Sequence, residues 1–372
     1  MTKRIAIFFP SLTAGGAEKS ALFIGTILAE KGYTVDMVVA RCRGGLQDDP
    51  FISAHLVDLH RDDPMLALDR YLGYLRRTRP DLVISLVHSA NFISGVGMRF
   101  FPDIPVIVSV HNTLIKRPKD QWWIRRWFGH APERFLYRRA RFVQTVSDQL
   151  ADQCETLFSV PRERLYVTYN SASGPGTSGI DDPDEADPTA EIEAASPYIL
   201  SAGRLVEIKG FDTLIAAFAR ADIPANWKLV ILGDGPLRPK LERQIERLGM
   251  SRRIILGGFR KSLNTWMDHA RGFVFATRGE GFGLVVHEAL LAHLPVVTSR
   301  VPGVSELVGQ GRFGRLVEPE DIAGFARAIE DIAENRLTAP VSAAFEEHLD
   351  RFTPEAVAGR YLEMVEAAIG AP

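Results

Sequence analysis

Short runs of β-branched and aromatic residues alternate along the chain with longer segments whose apolar positions recur three and four residues apart. The first pattern predicts strands and the second amphipathic helices. In the first half, strands are expected at Arg4–Phe9, Thr34–Val39, Asp81–Leu86, Pro105–Val110 and Arg141–Val146, with helical patterns between them such as Ala17–Lys31, stopped by Gly32. In the second half they are expected at Tyr198–Ser201, Lys228–Leu232, Ile254–Leu256, Phe273–Ala276 and Pro295–Thr298. Helices such as Phe211–Ala221 and Pro236–Leu248 follow them. Strands that are apolar throughout and separated by helices belong in parallel sheets covered on both faces. Two such series make an α/β protein of two doubly wound, Rossmann-like domains.

The division between them falls in Ser171–Pro197, which is poor in large apolar groups and holds seven acidic residues after Gly179. Such a stretch buries too little surface to order itself. The expected organisation is therefore an N-terminal domain over 1–172, an acidic linker over 173–197 and a second domain over 198–353. A final helix in 354–372, with its pattern at Thr353–Ile369, completes the chain. A length of 372 residues suits two domains.

Composition narrows the function. Hydrophobic residues make up 46% and charged residues 24%, with a formal net charge of −2, so nucleic acid is not an expected partner. Two cysteines, Cys42 and Cys154, make neither a disulfide framework nor a metal site, which fits a reducing cytoplasm. No apolar run is long enough to cross a bilayer. The positive charge is local: Lys116–Arg141 holds nine Lys and Arg against Asp120 and Glu133. Trp123 and Trp127 share a helical face there with Ile124 and Phe128, while Arg125 and Arg126 turn away. A basic aromatic helix of this kind suits an anionic membrane surface. A helix packing its aromatics on the core gives the same pattern.

In open parallel sheets ligands bind beyond the carboxyl ends of the strands. The first strand runs into Gly15-Gly16, where a helix start offers amide groups to an anion, although a bare strand–helix turn reads the same. After Tyr198–Ser201 comes Gly203-Arg204, then Lys209-Gly210. An Arg fork and a Lys charge on a glycine-bounded loop suit a diphosphate, and equally describe two solvated charges. Gly233-Asp234-Gly235-Pro236 is a further strand-end turn. The richest cluster is Glu280-Gly281-Phe282-Gly283-Leu284 with His287 and Glu288. Its two glycines expose amide groups at a helix start near Leu284. The two carboxylates either complement the helix dipole or accept hydroxyl protons. Asp182-Pro183-Asp184 mimics a metal-binding DxD but lies in the acidic linker.

Together these residues resemble the retaining GT-B glycosyltransferases of family 4 (GT4). The likeness spans essentially the whole chain and rests on Gly15-Gly16, the Arg204/Lys209 pair, the GDGP turn and the Glu280/Glu288 pair within EGFGLVVHEAL. It implies two domains facing a central cleft, an acceptor-side domain of 1–172 to which the final helix in 354–372 crosses back and a donor-binding domain of 198–353. It also implies transfer of a sugar from a nucleotide-sugar, UDP-sugar by default and GDP-sugar as the alternative. Arg204 and Lys209 would bind the diphosphate, Glu280 the donor sugar and Glu288 the ribose. Gly15, Gly16, Gly281, Phe282, Gly283 and Leu284 would line the donor, and the base would pack near Phe259. His111, at the end of Pro105–Val110, would lie beside the reacting sugar. Catalysis would use His111, Glu280, Arg204 and Lys209, with no metal and no other cofactor. The acceptor would be a glycan or lipid-linked glycan, approached from the cytoplasmic face of a membrane, with His88 and Asn91 as candidate contacts. His287 reads as structural. The competing readings are a sugar-nucleotide epimerase and a non-catalytic nucleotide- or glycan-binding relative.

Overall fold

The two series of apolar strands form two parallel sheets, one in each half of the chain. The computed structural model describes residues 2–12, 16–44, 46–62, 64–111, 131–172 and 196–370. The acidic linker and most of the basic aromatic segment lie outside them. The chain divides into two units, Met1–Thr177 with Phe352–Pro372, and Ser178–Arg351.

The first unit holds seven strands: β1 (Arg4–Ser11), β2 (Thr34–Arg41), β3 (Leu56–Asp58), β4 (Leu82–Leu86), β5 (Val106–Val110), β6 (Phe142–Thr145) and β7 (Leu165–Val167). Their order is β3-β2-β1-β4-β5-β6-β7, and every ladder is parallel. β1 lies inside the sheet, with Ile5 opposite both Val35 and Leu82. Its residues Ile5–Phe9 are fully buried, which is why the run shows no alternation. Phe8 stacks on Tyr71 at 4.6 Å between ring centroids. The last helix, Pro354–Gly370, belongs to this unit rather than to the one preceding it in sequence. Phe352 meets the edge of Tyr169 at 4.9 Å, and Lys3 Nζ donates to the Ile369 carbonyl at 3.0 Å.

The second unit holds six strands: β8 (Tyr198–Ala202), β9 (Lys228–Leu232), β10 (Ile254–Gly258), β11 (Gly272–Phe275), β12 (Val296–Ser299) and β13 (Arg315–Val317). They run β10-β9-β8-β11-β12-β13, again all parallel. In both sheets the order reverses at one place, between β1 and β4 and between β8 and β11. At such a reversal successive crossovers leave in opposite directions and open a crevice at the carboxyl ends.

Three strands go beyond the sequence pattern: β3, β7 and β13, each of three residues and each at a sheet edge. Runs that short carry no periodicity. The helix expected over Pro236–Leu248 is Arg238–Arg247, because the glycine turn before it extends through Leu237. Among the described residues no helix is long and apolar enough to cross a membrane.

Candidate functional site

The loops leaving β8 and β11 meet at the second sheet's point of reversal. After β8 the chain passes Gly203 and Arg204, makes a short turn at Glu207–Lys209 and enters the helix Phe211–Arg220 through Gly210. Gly210 has φ 67°, and a Cβ there would lie 1.9 Å from the Ala276 carbonyl oxygen. Only glycine lets the two loops approach this closely.

The loops are also tied by hydrogen bonds. Thr277 Oγ1 donates to the Ile208 carbonyl at 3.0 Å and the Arg278 amide to the same oxygen at 2.7 Å. The Arg278 guanidinium forks onto Asp212 at 2.7 and 2.6 Å, donates to the Glu207 carbonyl at 2.6 Å and pairs with Glu320 at 2.8 Å. Charge-assisted forks of this kind fix geometry as well as adding energy. Arg278 holds the Asp212 carboxyl below its ordinary range against the opposing effect of burial, and Asp212 in turn raises the guanidinium.

This clamp brings Lys209 and Glu280 together across 71 residues of sequence. They form an ion pair, with side chains 22% and 15% exposed, and Lys209 Nζ lies 5.2 Å from the centroid of the Phe275 ring. The Arg204 side chain is exposed and has no hydrogen-bond or ionic partner among the described residues. The helix Leu284–Leu291 follows Glu280, with Gly283 as its N-cap and no side chain capping it. Gly303 supports that turn: its φ is 78°, and a Cβ would sit 2.1 Å from the Gly281 carbonyl oxygen. Glu288 is half-buried in the same helix.

The sequence-derived residues of the second unit therefore fall into two groups. Arg204, Lys209, Glu280, Gly281, Phe282, Gly283, Leu284 and Glu288 all lie on the loops and helix start beyond β8 and β11. The Gly233–Pro236 turn supports the first loop, since the Asp234 carbonyl accepts the Leu205 amide at 2.9 Å and the Leu237 amide donates to the Leu205 carbonyl at 3.1 Å. His287 is buried edge-on to Phe282 at 6.0 Å, and burial pushes it down to about 4. Phe259, after β10, is 66% exposed, and Arg260 beside it lies over the Trp266 ring at 5.4 Å. Sequence reasoning passed over Arg278. Its signal was an arginine two residues before Glu280, at a strand end, with an aspartate opening the helix after Gly210.

A fork, a charge-bearing amine and the amide groups of an uncapped helix start form a set of donors for an anion with several oxygens. Among the described residues no group of three or more His, Cys, Asp or Glu could hold a metal ion.

The carboxyl ends of the first unit's strands carry different chemistry. His111 follows β5 and is 9% exposed, and neither ring nitrogen has a hydrogen-bond partner among the described residues. Burial pushes it down to about 4, so the imidazole is neutral at pH 7. His88 opens the helix His88–Phe100 and is exposed. Asn91 corrects the expectation of an acceptor contact. Ser85 Oγ donates to its Oδ1 at 2.8 Å, its Nδ2 donates to the Ser109 carbonyl at 2.8 Å, and the side chain is buried. The amide joins neighbouring strands and presents nothing outward. Gly16 opens the helix Gly16–Glu30, while Gly15 lies outside the described residues. Of the basic segment 116–141, only 131–141 is described, and it contains the helix Ala131–Arg139.

Known proteins share this organisation. A family model described as Glycosyltransferase Family 4 matches residues 14–172, and one described as Glycosyl transferases group 1 matches residues 196–335. The chain is 27% identical over 358 residues to the lipopolysaccharide core biosynthesis glycosyltransferase LpsE of Rhizobium meliloti, covering 94% of this chain and 96% of that one. It is 25% identical over 350 residues to a Campylobacter jejuni enzyme, covering 90% and 91%. That enzyme is named N-acetylgalactosamine-N,N'-diacetylbacillosaminyl-diphospho-undecaprenol 4-alpha-N-acetylgalactosaminyltransferase. Among solved structures, Anabaena HepE in complex with UDP and glucose shares the fold with a TM-score of 0.79 at 20% identity, over 98% of this chain and 100% of that one.

Proposed function

The chain belongs to glycosyltransferase family 4 and has the GT-B fold, and from that premise we propose that it moves a sugar from a UDP-sugar onto a glycan or lipid-linked glycan with retention of anomeric configuration. The observation that carries the proposal is the meeting of Lys209 and Glu280 at the reversal between β8 and β11. Beside them stand the unpartnered Arg204 and the uncapped start of Leu284–Leu291.

As the glycosidic bond breaks, negative charge grows on the departing diphosphate. Donors already in place stabilise that charge more than the ground state, and so speed the reaction. Arg204 forks onto the phosphates, Lys209 adds its charge, and the amide groups from Gly281 to Leu284 complete the cradle. These cations take the place of a metal ion. Glu280 orients both Lys209 and the hydroxyls of the donor sugar, and Glu288 accepts from the ribose. His111 is the first unit's candidate for contacting the transferred sugar. At neutral pH it serves as a hydrogen-bonding group rather than a proton carrier, because burial holds it near 4. The leaving phosphate assists a front-face attack.

A UDP donor is supported by the UDP-bound state of HepE. A lipid-linked or lipopolysaccharide acceptor is supported by the names of the Rhizobium and Campylobacter relatives. An anionic membrane surface, met through 116–141, would bring such an acceptor within reach.

The test is a transfer assay with UDP- and GDP-sugars against diphospho-undecaprenol-linked and lipooligosaccharide acceptors, with the new linkage read by NMR. Turnover with a UDP-sugar and an unchanged anomeric configuration is expected. An inverted product removes the retaining mechanism, exclusive use of GDP-sugars removes the donor assignment, and epimer formation without any acceptor removes transfer itself.

A further inference from the structure

The other edge of the first unit's sheet, where β1, β4, β5 and β6 begin, carries chemistry that the transfer reaction does not use. A cavity of about 640 Å³ opens there, within the size range of small-molecule sites. Its charged lining is Lys3, Arg79, Asp81, Asp103, Arg139 and Arg141.

The carboxylates are already engaged. Asp103 accepts from Arg79 at 2.6 Å, and Asp81 accepts the Arg4 amide at 2.7 Å. Lys3 is held at the end of Pro354–Gly370 by its bond to the Ile369 carbonyl. That leaves Arg139 and Arg141, two residues apart where the helix Ala131–Arg139 gives way to β6. Neither has a carboxylate partner among the described residues. Each guanidinium instead rests on an aromatic ring, Arg139 over Phe135 and Arg141 over Phe142, both at 5.3 Å.

Arg141 Nε is buried and has no hydrogen-bond partner among the described residues. A guanidinium N–H removed from water without an acceptor is unfavourable, and proteins rarely leave one so. Two guanidinium forks lying over rings, with an ammonium beside them, offer more donors than a single carboxylate can accept. They match an anion with several oxygens.

We propose that this cavity is a second anion site, which takes a phosphate ester. It lies at the amino ends of the first sheet's strands, whereas the nucleotide site proposed above lies at carboxyl ends in the second unit. The two are independent. The ester can be the headgroup of an anionic phospholipid or a small soluble phosphate, and the experiment separates them.

Isothermal titration of the full-length protein with sn-glycerol 3-phosphate and with pyrophosphate, each with and without excess UDP, reads the soluble form. Flotation with phosphatidylglycerol vesicles, against phosphatidylcholine alone, reads the headgroup. Arg139→Ala removes an exposed side chain and tests the site without touching the core, and Arg141→Gln removes the second fork. At least one probe should bind the wild type, persist in excess UDP and weaken tenfold or more in Arg139→Ala. Binding of sn-glycerol 3-phosphate identifies a free ester. Binding to vesicles alone identifies a lipid headgroup in the cavity when it survives Arg125→Glu/Arg126→Glu but weakens in Arg139→Ala, which separates it from a general attraction of 116–141 to an anionic surface. The proposal is overturned if no probe binds, if excess UDP displaces all binding, or if the wild type and Arg139→Ala bind equally.

Discussion

At the carboxyl ends of β8 and β11 the second unit gathers Arg204, Lys209, Arg278 and Glu280 and ties most of them into charged hydrogen bonds. At the matching ends of β4 and β5 the first unit presents two histidines, one of them buried and neutral, and turns the amide of Asn91 inward. Both sheets reverse their order at the equivalent place, so topology does not make the difference. The side chains do. Half-buried charges persist where partners compensate them, and an arginine side chain left unpartnered beside them is what the proposed function uses to hold a polyanion. A neutral imidazole cannot supply that grip, but it can meet hydroxyl groups.

The comparison breaks most visibly if the charges are removed. Lys209→Ala and Glu280→Ala should each lower the transfer rate by roughly 10²–10³-fold, the range found when one preorganised donor is deleted at a charge-developing site. Thermal melting should fall less than in Arg278→Ala, since each change breaks one ion pair and leaves a single half-buried charge, and the rates are compared at a temperature where every variant is folded. Equal turnover in the wild type and both variants would place the chemistry elsewhere. Arg278→Ala should act differently, on structure first. It strands Asp212 and frees the Glu207 carbonyl, a loss of about 2–3 kcal/mol for charged hydrogen bonds of this kind, discounted for the exposed Glu320. Melting should fall by roughly 5–10 °C, and Arg278→Lys should recover only part of it because a lysine cannot fork. Unchanged melting in Arg278→Ala would show that the loops hold without the clamp.

The smallest effect concerns pH. His111 and His287 are both pushed down to about 4 by burial, against 6.5 for an ordinary imidazole. Between those values the unfolded chain binds more protons than the folded one. Stability is therefore complete above pH 6.5 and declines as the pH falls toward 4. At pH 5.5 the loss should be about 1.4 kcal/mol per histidine. Melting followed from pH 7 to 5 checks it, and His287→Gln should flatten the slope. A flat profile in the wild type would contradict the buried, neutral assignment.

The sequence made the interior strands visible and the edges not. Lys228–Leu232 appears at its expected bounds because a strand buried on both faces is a continuous apolar run. Edge strands such as Arg315–Val317 are half-buried on two of their three residues and read as loop. The charged residues of the second unit were recognisable from their place after strands. The contact between Lys209 and Glu280 was not, since β8 and β11 are neighbours only through the reversal of sheet order. Arg278 resembled any solvated loop arginine until Asp212 and Glu320 were placed around it. Asn91 misled because a polar residue in the first turn of a helix looks outward in sequence, whereas its face of that helix packs on Ser85 and Ser109.

The central claim is that the second unit holds a nucleoside diphosphate through its charges. Calorimetric titration of UDP and of uridine into the wild type and into an Arg204→Ala/Lys209→Ala variant measures this directly. UDP should lose at least tenfold in affinity in the variant, while whatever weak binding uridine shows stays the same. UDP affinity unchanged by the double substitution would contradict the account.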